Sequence, residues 1–331
     1  MKKIIIFTMV FIVLLSGCIS THMIITYYDD DIDSDIKTAT KKTIDKLLDG
    51  IAEEDIELIK EISLYSNNEQ FKESNLDYFF EIKDLFKLNK MKLLQQTHTI
   101  SNNNSVTVFL PDINGYSCTL PTDQMDSFTS FYTIQNNEYQ FLLMINLLNN
   151  SKEEWKLSKI SIGDYEINGR GIEDWIQESK KYYDKGYLMS TYFCQNIAMR
   201  LVRPNKYMNH AKADAIESTF QDLQEKIYES YTFPMKIKLT ATDVEIYYID
   251  IHPYKDGYVY QVKYVTEQDV KQPDKKVLND EAYLLQAQLE KKIEGFGQGL
   301  TNIVVYSAFD EPPIDATKQY TTFTTVVEVK K

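Results

Sequence analysis

Three things are scarce in this 331-residue chain: cysteine, the turn-forming pair glycine and proline, and positive charge. Three cysteines argue against a small fold built on disulfides and against most cysteine-rich metal modules. Eleven glycines and eight prolines are too few for collagen-like or Pro/Gly low-complexity chains. Lys and Arg number 36 against 49 Asp and Glu, for a formal charge of −13. A chain so short of cations has no sequence-independent grip on phosphates, so nucleic acid is not an expected partner. What is plentiful is apolar residues, 43% of the chain, enough for the cores of two ordinary domains.

The N-terminus carries the strongest local signal. Residues 1–18 read MKKIIIFTMVFIVLLSGC, a basic start followed by an apolar run from Ile4 to Leu15 broken only by Thr8. Twelve residues make a helix of roughly 18 Å, too short for a hydrocarbon core of about 30 Å. The pattern is that of a secretory signal peptide, set aside in reasoning about the fold. The run ends in Leu15-Ser16-Gly17-Cys18, which resembles the lipobox of bacterial lipoproteins. That resemblance implies recognition of Leu15, Ser16 and Gly17 by the lipoprotein signal peptidase, cleavage before Cys18, and a diacylglycerol thioether on Cys18. It places the protein on the extracytoplasmic face of the cell membrane, held by lipid. Two acyl chains give stable attachment where one is marginal. No later stretch reaches 18 consecutive apolar residues, so lipid is the only expected membrane contact.

Residues 18–34 read as an acidic tether, with Asp29, Asp30, Asp31, Asp33 and Asp35 clustered at its end. A calcium loop beginning at Asp31 would need Gly at 36 and Glu at 42, where the chain has Ile36 and Lys42. The acids instead suit solvent and the start of a helix. From Asp35, Ile36, Ala39, Thr43, Leu47 and Ile51 recur at helical spacing; Ile56, Ile59 and Ile62 predict a short second helix. Phe71, Leu76, Phe79, Phe80, Ile82, Leu85 and Phe86 predict a third. Beyond Met91 the period shortens toward two, predicting strands at 93–101, 105–110, 127–135, 138–149 and 154–162. The segment 138–149 is apolar on both alternations and predicts a strand covered on both faces.

Three helices followed by an antiparallel sheet ending in a hairpin with Trp155, Leu157, Ile160 and Ile162 resemble the nuclear transport factor 2-like cone fold. The resemblance spans about residues 35–166 and rests on element order. It implies a curved sheet wrapped around a helix, with a pocket at the wide end. A second unit, 167–331, repeats the order of helices first and sheet later: helices near 172–183, 187–202 and 212–231, strands at 235–240, 244–251 and 258–266, a helix near 279–294, and strands at 301–309 and 319–329. The expected fold is therefore α+β, with two domains that each pack N-terminal helices on a curved antiparallel sheet.

Constellations for chemistry are sparse. The four histidines, His22, His98, His210 and His252, are scattered, with no i,i+4 pair and no H-E-x-x-H motif. No metal site or cofactor is expected on that basis. His98, alternating with Gln96 and Ile100 on a strand, is the candidate general base if the cone is open. The plainer reading is a strand residue bonded to a neighbour. Gly115-Tyr116-Ser117-Cys118-Thr119 matches a nucleophile elbow only in part, because Thr119 replaces the last Gly and no helix pattern follows. Gly295, Gly297 and Gly299 follow a helix and precede a strand, the reverse of a dinucleotide loop, and read as a helix end. Cys118 and Cys194 could pair in an oxidising compartment or remain two buried thiols. Tyr258, Tyr260 and Tyr264 share one strand face, which suits either an exposed platform for a glycan or protein or ordinary sheet packing.

Charge is uneven as well. Residues 18–170 hold 14 basic and 25 acidic residues, and residues 171–331 hold 20 and 24. The half next to the anchor is the acidic one. Together these features predict a lipid-anchored, non-catalytic binding protein of the cell envelope, with an envelope protein or glycan as partner. The alternatives are an acid–base or hydrolytic enzyme, or a small-ligand carrier, using a pocket in the first domain.

Overall fold

A computed structural model of the chain describes residues 23–64, 73–83, 90–136, 139–149, 154–240, 242–254, 257–297, 302–315 and 317–329. The lipobox residues Leu15, Ser16, Gly17 and Cys18, together with His22, lie outside the described residues, as do Phe71, Leu85, Phe86 and Gly299. The described residues form seven α-helices and thirteen strands in three sheets, and the fold is α+β.

The chain opens with β1 (Ile24–Tyr28) and a 3-10 turn at Asp29–Asp31. The segment expected to be a tether is thus structured from Ile24 onward. Its acids have local work: the Asp29 carboxylate accepts from the Gln96 amide (2.7 Å), and Asp33 caps the next helix by accepting from the Asp35 amide (2.7 Å). That helix, α1 (Ser34–Glu53), buries Thr40, Ile44, Leu47, Leu48 and Ile51 along one stripe and ends at Glu54, which is left-handed (φ 56°). Asp55 caps α2 (Ile56–Ile62) by accepting from the Leu58 amide, and α3 (Glu73–Glu81) follows.

Six strands come next: β2 (Met91–Ser101), β3 (Ser105–Phe109), β4 (Tyr116–Pro121), β5 (Ser127–Asn136), β6 (Tyr139–Asn149) and β7 (Trp155–Ile167). The first sheet runs β1-β2-β5-β6-β7 and is antiparallel throughout. Bulges at Leu93/Gln95 and Asn146/Leu147 shift its register, the usual device for bending a strand. On β6, Leu143, Ile145 and Leu147 join the core under α1–α3, while Leu142 and Met144 join a second core on the other side. The expectation of a strand covered on both faces holds.

The second half starts with α4 (Ile172–Asp184), α5 (Leu188–Leu201), β8 (Met208–His210) and α6 (Ala213–Ser230). Helix α5 buries Met189, Phe193, Cys194, Ile197, Ala198 and Leu201, more than one stripe, so it lies inside the molecule. After it come β9 (Met235–Lys238), β10 (Asp243–Tyr254), β11 (Gly257–Val265), α7 (Lys275–Lys292), β12 (Ile303–Phe309) and β13 (Thr322–Glu328). Their sheet runs β13-β12-β11-β10-β9. It departs from the expected antiparallel pattern at one pair: β11 and β12 are parallel, with α7 in the connection between them. Parallel neighbours need a long crossover, and a helix is the common solution.

The two halves share structure. Strand β8 completes a small sheet with β3 and β4 by pairing Tyr116 with His210 and Cys118 with Met208. The Tyr116 hydroxyl donates to the Leu201 carbonyl (2.7 Å). One apolar cluster runs from Val106 and Leu120 through Met144 and Phe193 to Tyr260 and Val304. Residues from both sides of 166/167, Met144 and Ile172 among them, belong to this cluster.

Candidate functional site

His98 sits on β2, on the sheet face covered by α1–α3. Its ring stacks on Tyr27 (5.9 Å between centroids) and meets the edge of Trp155 (5.9 Å). Its Nε2 is 3.7 Å from the Asp126 carboxylate. Burial pushes its pKa down, and the nearby Asp126 opposes that shift. A histidine next to a carboxylate is the pair that acid–base chemistry needs. Here aromatic rings close over it, leaving 4% of the residue exposed. It lines neither of the two concavities described below.

The other sequence candidates are placed plainly. Ser117 lies on β4, a strand, and its Oγ donates to the Asn209 carbonyl (3.3 Å). Cys118 and Cys194 are free and buried in the shared core, so they are not bonded to each other. Cys118 Sγ instead lies 3.5 Å from Met144 Sδ. Burial pushes both thiols up, Cys194 to about 12 and Cys118 further, which removes them as nucleophiles near neutral pH. Gly295 and Gly297 take positive φ (70° and 79°) just after α7, as a helix end requires. Tyr258, Tyr260 and Tyr264 are 5%, 0% and 1% exposed. The exposed platform on that face is therefore ruled out; these rings are core, Tyr260 lying against Phe193 and Phe296. Among the described residues no group of His, Cys, Asp and Glu could hold a metal, and no helix is long and apolar enough to cross a membrane.

The first concavity is a cleft of about 160 Å³ where β4, β8 and the start of α4 meet, lined in part by His210, Tyr116, Glu166 and Asp174. His210 is pinned at both ring nitrogens. Its Nδ1 accepts from the Lys212 amide (3.2 Å), so its Nε2 carries the proton and donates to the Asn114 carbonyl (3.0 Å). Burial lowers its pKa, and the Asn114 contact opposes. A ring with both nitrogens engaged by the backbone orients β8 and α6; it has no nitrogen left for a substrate.

The second concavity is a groove of about 400 Å³ between α4 and α6, floored by α5. Its walls carry Ile176 and Tyr183 from α4 and Ile216 and Leu223 from α6, and Thr191 and Gln195 form the floor. Lys180, Lys212 and Lys226 stand on its rim with a single acid, Asp222. Most of the side-chain donors inside are already engaged. Ser179 Oγ donates to the Thr191 carbonyl (3.2 Å), and Thr191 Oγ1 to the Tyr187 carbonyl (2.9 Å). Gln195 Nε2 donates to the Ile216 carbonyl (3.2 Å), and Thr219 Oγ1 to the Ala215 carbonyl (2.8 Å). Sequence periodicity found all three helices but not the groove, since it depends on α4 and α6 both packing on α5 while staying apart. No family model matches this chain, and no curated protein or solved structure does either.

Proposed function

We propose that this chain is a lipid-anchored, extracytoplasmic lipoprotein of the cell membrane that acts as a non-catalytic binding protein of the envelope. The observation that carries the anchoring is Leu15-Ser16-Gly17-Cys18 directly after a twelve-residue apolar run. Binding is supported by the α4–α6 groove, whose volume falls in the range of roughly 300–1,000 Å³ typical of ligand sites. The resemblance of residues 35–166 to a nuclear transport factor 2-like domain rests on the sequence order of helices before strands, and on this reading the first half serves as the scaffold next to the anchor. Metabolic labelling with an alkynyl fatty acid tests the anchor. Label should appear on the wild-type protein in the membrane fraction and vanish with Cys18→Ala. Equal labelling of both proteins would overturn the reading.

The second reading, acid–base chemistry at His98, rests on the Asp126 carboxylate 3.7 Å from its Nε2. The enclosure of that ring by Tyr27 and Trp155 supports it less well than the open groove supports binding.

A further inference from the structure

The rim of the α4–α6 groove runs against the charge of the rest of the molecule. The chain carries −13, yet three of the four charged side chains lining this groove are lysines. Lys212 is spent on Glu173, with its Nζ 2.6 Å from both carboxylate oxygens. Lys180 and Lys226 are in no ion pair among the described residues. The Lys226 Nζ lies over the Tyr183 ring, 5.3 Å from its centroid and 3.5 Å from its hydroxyl. Two exposed ammonium groups therefore flank an apolar slot, one on each wall.

The interior selects further. Ser179, Thr191 and Thr219 give their only side-chain donors to main-chain carbonyls and Gln195 gives one of its two amide hydrogens, so the slot keeps few donors for a sugar or a peptide backbone. A strongly polar guest would lose more water contacts there than it regains, at a cost that disfavours binding. An apolar body in the slot faces Ile176, Ile216, Leu223 and the Tyr183 ring, and gains from leaving water. A negative head on that body would reach the two lysines.

Resting on the binding-protein reading, we infer that the α4–α6 groove is a binding site for an anionic amphiphile: a carboxylate or similar acidic head on a flexible or aromatic apolar body. Lys180 and Lys226 hold the head, and the slot between Ile176 and Leu223 holds the body. Charge complementarity sets specificity by penalising a cationic head of the same size.

The test uses the full chain in nanodiscs of zwitterionic phospholipid, with a diazirine-bearing decanoate as probe and its trimethylammonium counterpart as control. Photolabel from the decanoate should concentrate on peptides of α4 and α6 and be displaced by unlabelled decanoate. The ammonium probe should label those peptides at least about tenfold less, a difference worth about 1.4 kcal/mol. Lys180→Glu combined with Lys226→Glu should reduce decanoate labelling by a similar factor. Ala215→Trp, a substitution at an exposed helix position on the rim, should block it while leaving the unfolding midpoint near wild type. Equal labelling by the two probes, or labelling spread over the molecule, would overturn the inference. Loss of an envelope partner on Ala215→Trp, with no decanoate labelling in wild type, would reject the amphiphile and leave the binding-protein reading standing.

Discussion

Gly163 on β7 lies against the main chain of Pro204, so close that a Cβ at 163 would stand 1.6 Å from the Pro204 carbonyl oxygen. Backbone meets backbone there, with no flexible side chain to move aside. The first sheet and the loop after α5 approach each other at this point, and glycine is what permits it. Gly163→Ala should destabilise the protein by about 3 kcal/mol, the upper end of the usual cost of overpacking, because the clash is with main chain. Gly171→Ala, where the added Cβ has nothing within 4 Å, should cost only the exchange of a glycine for an alanine N-cap on α4, about 0.5–1 kcal/mol. Urea denaturation of the two variants makes the comparison, and equal midpoints would contradict the close approach.

The two tryptophans report on different cores. Trp155 belongs to the cluster under α1–α3, and Trp175 to the cluster that crosses from the first half to the second. Because that second cluster and the β4–β8 pairing bind the halves together, Trp155→Phe and Trp175→Phe variants should unfold at coincident denaturant midpoints after allowing for each substitution. Phe193→Ala, which removes a fully buried ring from the shared cluster, should cost about 3–5 kcal/mol and move both signals together. Two separated transitions would mean the halves unfold independently.

His210 should make stability depend on pH. Its ring holds a proton less readily in the folded protein than in the unfolded chain, because burial lowers its pKa. Below the ordinary histidine value of about 6.5, the unfolded chain binds more protons, so acidification favours it. The contribution of neutral His210 is complete above that value and is lost as pH falls toward and through the lower folded value. Protonating Nδ1 would also end its acceptance from the Lys212 amide. Denaturation midpoints between pH 5 and 8 should fall on the acid side in wild type and flatten in His210→Gln. An unchanged slope in the variant would assign the effect elsewhere.

The two buried thiols should be silent in the native state. Cys118 and Cys194 are both 0% exposed, and burial raises the pKa of each. A thiol-specific chromogenic reagent should find neither in native protein and both in denaturant, with or without prior reduction. Recovery of both only after reduction would point to a disulfide.

Much of the architecture was legible because long helices and central strands write their period plainly. Ile216, Leu223 and Ile227 mark the buried side of α6, and the apolar run of β6 announced a strand packed on both faces. The failures have physical causes. Ile24–Tyr28 is a strand at a sheet edge, where exposure of Ile24 and Ile25 removes any alternation and the following aspartates resemble a solvated linker. Met208–His210 is only three residues long and is a strand because β4 lies beside it. Tyr258, Tyr260 and Tyr264 alternate cleanly, but alternation alone does not say whether the shared face is covered. The groove is less legible still. It joins Ile176 to Leu223 across a helix that lies between them in the chain, a relation that only the packed molecule contains.

The early start of β1 bears on where an anchored molecule would sit. With Ile24 in β1, a lipid on Cys18 would be joined to the first sheet through six residue steps, a contour of at most about 20 Å. Such a molecule would be held at the Ile24 end of its first sheet, and that end would lie within about 20 Å of the lipid.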